Sequence, residues 1–192
     1  MKTVYIATSN KNKAASIKKA MRGHGISVKQ VYLEIPEPRS YDIKEIANAK
    51  VLYAYKKVKK PCIVLDSGFF VNSINGFPRT FVNYALETVG IEGILKLAEG
   101  RGRRCEFRDC LAYCDGMAPE PALFESKVTG RLSNSPKGTV RPFHWSRLFL
   151  IFIPEGKTKT LAQMGKKEYE DWSKNIGQNS YIKKFADWFS DK

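Results

Sequence analysis

At 192 residues, with 43% hydrophobic and 12% aromatic residues, the chain can bury one sizeable core, which excludes a disordered or fibrous protein. No apolar run approaches the roughly 20 residues that cross a bilayer, so no membrane partner is expected. Thirty-three Lys and Arg against 19 Asp and Glu leave a net charge of +14, more than solubility requires of a small domain, and suggest a polyanionic partner.

The N-terminal MKTVYIATSN enters an alternating apolar run without the long apolar stretch and small-residue cleavage site of a secretion signal, so a cytoplasmic location is expected. Residues 3–8 read as a strand. Asn10 follows as a helix N-cap, with Ala14, Ile17 and Met21 spaced for one buried face. A second strand over 27–34 leads through a loop holding Pro36 and Pro38 into a helix over 43–57, which Pro61 ends before the apolar run Cys62-Ile63-Val64-Leu65. The order is β-α-β-α-β. Asn75-Gly76-Phe77-Pro78 is loop chemistry, 80–88 and 91–99 read as short helices, and 104–115 and 123–132 alternate as paired long strands. A further strand is expected over 148–153. The tail from 166 to 189 reads as two helical pieces with Trp172, Ile176, Phe185, Trp188 and Phe189 on apolar faces. No internal repeat or linker-like stretch interrupts this pattern, so the expectation is one α/β domain over residues 1–192, a mixed sheet with flanking helices.

Cys62, Cys105, Cys110 and Cys114 lack paired CxxC spacing, and neither His24 nor His144 lies near them in sequence. They read as reduced thiols packed as small hydrophobes in strands rather than as a zinc set. Basic residues cluster at Lys11, Lys13, Lys18, Lys19 and Arg22, at Lys56, Lys57, Lys59 and Lys60, and at Arg101, Arg103, Arg104 and Arg108. Solvated faces and a nucleic-acid footprint both remain open for them.

The segment Ala7-Thr8-Ser9-Asn10-Lys11-Asn12-Lys13 sets a polar turn at a helix N-terminus, where free N–H groups, the helix dipole and the Lys13 charge can cradle phosphate. It resembles the (T/S)-G-N-x-x-K-x-x-E opening of the inosine triphosphate pyrophosphatase family. The run from Lys60 to Phe70, continuing to Asn75-Gly76-Phe77-Pro78, resembles that family's strand ending in (E/D)-D-S-G and its G-x-P-G loop. Glu92 to Leu97, Thr129-Gly130-Arg131 and Pro154 to Thr158 follow in the family's order, and the archaeal members look closest. The resemblance covers nearly the whole chain. It implies an elongated, twisted mixed sheet of the ITPase and Maf type, and magnesium-dependent hydrolysis of inosine- or xanthosine-type triphosphates to monophosphate and pyrophosphate. It further implies a homodimer, the state common in the family.

Carried over residue by residue, the resemblance gives Asp66 as metal ligand or base and Lys13 on the phosphates. Thr8, Ser9, Asn10, Lys13, Ser67, Gly68, Phe143, Trp145, Ser173 and Lys174 would bind nucleotide. Departures accompany the matches: Ser16 and Leu65 stand where the family has acids, and Ala47 stands where it has a helix Glu, unless a shifted alignment gives that role to Glu45. Arg79 closes the G-x-P-G loop, Ser146 replaces an Asp, and Ser173-Lys174-Asn175 replaces S-H-R. Phe143 and Trp145 read as stacking positions or as core aromatics, and His144 as an ordinary loop histidine. These losses favour a pseudoenzyme that binds RNA, DNA or a ribonucleoprotein through Lys56, Lys57, Lys59, Lys60, Arg101, Arg103 and Arg104. The alternative is an active magnesium-dependent pyrophosphatase on purine nucleotides.

Overall fold

Alternation and capping act first. In the computed structural model, which describes residues 2–192, strand β1 (Thr3–Ala7) buries Val4, Ile6 and Ala7, and the Asn10 side chain then accepts from the Lys13 amide to open helix α1 (Lys11–Arg22). That helix buries Ala14, Ile17 and Met21, the predicted face. Strand β2 (Ser27–Val31) ends before the proline loop, and helix α2 (Ile43–Val58) starts at Asp42, whose side chain accepts from the Lys44 amide. Strand β3 (Cys62–Val71) runs well past Leu65, through Asp66-Ser67-Gly68. A two-residue strand β4 (Pro78–Arg79) and helices α3 (Val82–Thr88) and α4 (Gly90–Leu97) follow. Strands β5 (Arg104–Cys114) and β6 (Ala122–Leu132), the short β7 (Phe152–Pro154) and helices α5 (Lys166–Gly177) and α6 (Tyr181–Asp191) complete the chain.

The seven strands form one mixed sheet in the order β2-β1-β3-β5-β6-β7, with β4 paired to β3. Strand β1 runs parallel to β2, from Thr3 opposite Ser27 to Ala7 opposite Val31, and parallel to β3 at Tyr5 opposite Cys62. Strands β6 and β7 are antiparallel. Each of β3, β5 and β6 passes from one compact unit into the other.

The first unit comprises the chain up to Ser67, Asp109–Ser126 and Asn179–Lys192. Its β3 and β5 segments are largely buried on both faces. On one face Ile6, Ile63 and Leu111 pack with Ile17 and Met21 of α1 and Phe185 of α6; on the other Cys62, Val64, Cys110 and Ala112 pack with Ile43, Val51 and Ala54 of α2. The second unit comprises Gly68–Arg108 and Lys127–Gln178, around a core of Phe69, Ile91, Ile94, Phe107, Leu132, Phe149 and Phe152.

Strand β2 stops three residues short of expectation and β4 lies where loop was expected, but the larger departure is further along the chain. The strand predicted over 148–153 is a 3-10 turn at Arg147–Leu150 followed by β7, because the Ser146 hydroxyl accepts from the Leu148 amide and bends the chain. The four cysteines are free and buried in β3 and β5, as expected. Burial pushes the Cys62, Cys105 and Cys110 thiols up to about 12. Among the described residues no helix is long and apolar enough to cross a membrane.

Candidate active site

In the first unit, the turn between β1 and α1 is pinned at both ends: the Thr8 hydroxyl accepts from the Asn10 amide (3.1 Å), and the Asn10 side chain accepts from the Lys13 amide (2.9 Å). Ser9 lies exposed within the turn. No acid occupies the first turn of α1, so the positive end of the helix dipole keeps its full pull on an anion. The Lys13 ammonium reaches across to β3 and donates to the Leu65 carbonyl at 2.8 Å. Burial pushes its pKa below the ordinary lysine value, while Asp66 pulls the other way.

Alternation along β3 divides its polar residues between the two faces of the sheet. Asp66 keeps the register of Cys62 and Val64, the face that α2 covers, and there Lys50 of α2 donates to its Oδ1 at 2.6 Å. Lys50 also reaches Glu37, at 3.1 Å. Burial alone would lower the Lys50 pKa, yet the Asp66 and Glu37 carboxylates raise it, so this cation stays charged. The pair is largely removed from water, with side-chain exposures of 15% for Lys50 and 8% for Asp66. The second carboxylate oxygen, Asp66 Oδ2, is buried and has no hydrogen-bond partner.

Ser67 keeps the register of Ile63 and Leu65, the face that α1 covers, and its hydroxyl donates to Asp109 Oδ1 at 2.6 Å. Burial pushes the Asp109 carboxyl up to about 6, against the Ser67 hydrogen bond and the Lys13 charge. Sequence reasoning missed Lys50, Glu37 and Asp109. A signal existed for two of them: Lys50 interrupts the buried stripe Ile43, Ile46, Ala47, Val51 of α2, and Asp109 sits in the alternation Phe107, Leu111, Tyr113 of β5, a run otherwise apolar.

The other predicted positions separate. Ser16 is exposed, off the buried face of α1. Glu45 does not take over the place of an acid in this network: it is exposed and accepts the Ser40 hydroxyl, while Ala47 is fully buried.

In the second unit, Gly68 has a steric reason, since a Cβ there would lie 2.7 Å from the Phe70 ring and 2.9 Å from the Arg79 carbonyl oxygen. Arg79 holds φ of 58°, a left-handed backbone that favours glycine, and its guanidinium donates to the Asn75 carbonyl. Trp145 stands edge-on to Phe107 and Phe149 with 47% of its surface exposed, and Phe143 packs on Tyr169 of α5. Both rings pack against neighbouring rings, and Trp145 keeps an exposed face. His144 lies in a loop as expected, but its ring is buried: Nδ1 accepts from the Arg141 amide and Nε2 has no partner. Ser173 and Lys174 are exposed on α5. Of the basic positions, Lys56, Lys57, Lys59, Lys60, Arg101 and Arg104 are exposed, whereas Arg103 donates to the Leu132 and Ser133 carbonyls. Arg103 is thus a strand clamp rather than a free phosphate contact.

A model of the Ham1 family matches residues 4–176, most of this chain. The chain belongs to the Ham1 family. Among relatives of this Ham1 protein, the dITP/XTP pyrophosphatase of Methanopyrus kandleri is 35% identical over 187 residues, covering 97% of this chain and 95% of that one. The dITP/XTP pyrophosphatase of Pyrococcus horikoshii is 33% identical, covering 96% and 95%. A solved Ham1 protein of Coxiella burnetii shares the fold with a TM-score of 0.80 at 17% identity, each chain covered in full.

Proposed function

We propose that the chain hydrolyses a purine nucleoside triphosphate of the inosine or xanthosine type to the monophosphate and pyrophosphate. The observation that carries this reading is the network of acidic and basic side chains in the first unit. Lys13, Lys50, Asp66 and Asp109 are gathered there, wholly or partly out of water, with exposed Glu37 reaching Lys50 from outside and Asp66 Oδ2 left unpaired. Removing charges from water costs stability, and a relic site would lose such groups easily, so their retention supports work on a charged substrate. The similarity to curated pyrophosphatases supports the same reading and weighs against the pseudoenzyme.

The residues perform separable tasks. Lys13 and the free amides of α1 bind the phosphates, and Lys50 fixes Asp66 in orientation. Water attacks the α-phosphorus in line, the bond to the bridging oxygen breaks, and pyrophosphate leaves. Magnesium fits the unpaired buried oxygen of Asp66. Among the described residues no group of three or more His, Cys, Asp or Glu could hold a metal, so most oxygen ligands would come from the substrate and water. When bound, the ion neutralises charge developing on the leaving pyrophosphate. Phe143 and the exposed face of Trp145 offer rings on which a purine would stack.

The test is phosphorus NMR of inosine triphosphate incubated with purified protein and magnesium. Paired monophosphate and pyrophosphate signals are expected. Inosine diphosphate with orthophosphate would point to a different phosphohydrolase, and an unchanged substrate would return the argument to the pseudoenzyme. Nucleic-acid binding by Lys56, Lys57, Lys59 and Lys60 is a separate reading that only the exposed charge supports; retention of RNA on a filter that falls steeply with salt would sustain it.

A further inference from the structure

In the second unit, the sheet face turned away from the core gathers cations that no acid neutralises. Cys105 and Phe107 of β5 and Val128 and Leu132 of β6 pack into the core, so Arg104 and Glu106 of β5 and Lys127, Thr129 and Arg131 of β6 point outward. The Leu132 amide donates to the Arg103 carbonyl at 2.8 Å, and the short connection between the two strands makes them antiparallel. Arg104 and Arg131 therefore stand opposite one another. Like charges directly opposed across a strand pair destabilise it, and an anion laid over both would offset that cost.

With Lys127, and with Lys157 just past β7, these arginines line a groove of about 480 Å3. All four are exposed, and among the described residues none of the four side chains has a hydrogen-bond or ion-pair partner. The two acids of the groove are already engaged: Glu106 accepts from Arg108 at 2.6 Å, and Glu155 accepts from the Thr129 hydroxyl. Charge decides what fits. A second copy of the chain would bring the same cations to the contact and a net charge of +14 with them, so self-association on this face is opposed. Spacing decides further. Lys127 and Arg131 lie roughly 13 Å apart along β6, too far for one compact anion to bridge but within the reach of a chain of phosphates. We propose that this groove seats a single nucleic-acid strand, held through its phosphates without base readout. The proposal uses no residue of the first unit and stands whether or not the chain hydrolyses triphosphates.

The experiment is fluorescence anisotropy of a short labelled oligouridylate with the full chain, from about 50 to about 200 mM salt. Four phosphate contacts at about −0.7 each give a log–log salt slope near −3. Arg104→Ser combined with Arg131→Ser should halve that slope and weaken binding about tenfold at the lowest salt. Glu155→Gln should tighten binding, because it removes a like charge from the groove. Replacing Lys56, Lys57, Lys59 and Lys60 by Ser removes twice the charge from the first unit, and should change the slope less than the arginine pair does. Oligothymidylate should bind as well as oligouridylate, as contacts to phosphate alone require. Both arginines are exposed, so the double variant should fold; if it does not, Lys127→Ser with Lys157→Ser serves in the same comparison. No binding at about 50 mM salt overturns the proposal, as does a slope that the arginine pair leaves unchanged. Displacement of the strand by poly-glutamate at equal charge would assign the groove to an acidic protein instead. Equal displacement by inorganic tripolyphosphate would assign it to a compact anion, and either result overturns the proposal.

Discussion

The two compact units build their candidate functional surfaces from opposite chemistries. In the first, charged groups are fixed by specific partners: Lys50 on Asp66, Ser67 on Asp109, Lys13 on the Leu65 carbonyl. In the second, rings are fixed by packing: Trp145 on Phe107 and Phe149, Phe143 on Tyr169. Charges held by partners lose their geometry when one partner is removed, and the loss should appear in chemistry. Rings held by a core lose theirs when the core is opened, and the loss should appear first in stability.

The largest stability effect that contrast predicts lies in the second unit. Phe149 is 1% exposed and touches Phe107, Trp145, His144 and Tyr169, so Phe149→Ala should destabilise the protein by about 3–5 kcal/mol in urea unfolding. A cost under about 1 kcal/mol would mean that the ring cluster is not a packed core. In the first unit Lys50→Met strands the buried Asp66 carboxylate, and a loss of about 3 kcal/mol is expected in the same assay. Unlike Phe149→Ala, this change should also depress turnover in the protein that remains folded, which separates a working ion pair from a packing one.

Trp145→Ala tests the exposed end of the ring cluster. It should raise KM for inosine triphosphate about tenfold, since stacking contributes about 1–3 kcal/mol per base, with little change in kcat. An unchanged KM would leave Trp145 as a surface ring only. The smallest effect concerns the thiols. Burial raises Cys62, Cys105 and Cys110 to about 12, so at pH 8 they are protonated and iodoacetamide should modify them only after unfolding. The sign is fixed by the cause: burial disfavours the thiolate, and reactivity would rise only as pH climbs toward 12. Fast labelling of the folded chain at pH 8 would contradict the burial of β3 and β5.

What the sequence made legible follows the same division. Periodicity located α1 with its face Ala14, Ile17, Met21, and α2 and β5 to within a residue or so, because burial of one face governs those elements. It failed at 148–153, where a single Ser146 hydroxyl outweighed an apolar run. The motif residues Thr8, Asn10, Lys13, Asp66 and Ser67 all fall in the first unit, where Thr8, Asn10 and Lys13 are linked in the turn and Lys13 reaches β3 at Leu65, while Asp66 and Ser67 face opposite sides of the sheet. Their partners did not show, because Lys50 and Glu37 reach Asp66 through the packing of α2 and the loop before it, and Asp109 reaches Ser67 through the placement of β5 beside β3. The same holds for the apparent gap at Leu65. A departure read along one strand looks like loss, yet a neighbouring strand places an acid on the same sheet face.

The central claim is that this charged network works on a phosphate rather than persisting as a relic. It is tested most directly by pyrophosphate release from inosine triphosphate and magnesium, comparing wild type with Asp66→Asn, an isosteric change that leaves Lys50 a polar partner. The account predicts measurable wild-type turnover, a drop of at least about a hundredfold in kcat for Asp66→Asn, and a folded variant by circular dichroism. Equal rates in the two proteins, or no pyrophosphate from either, would contradict it.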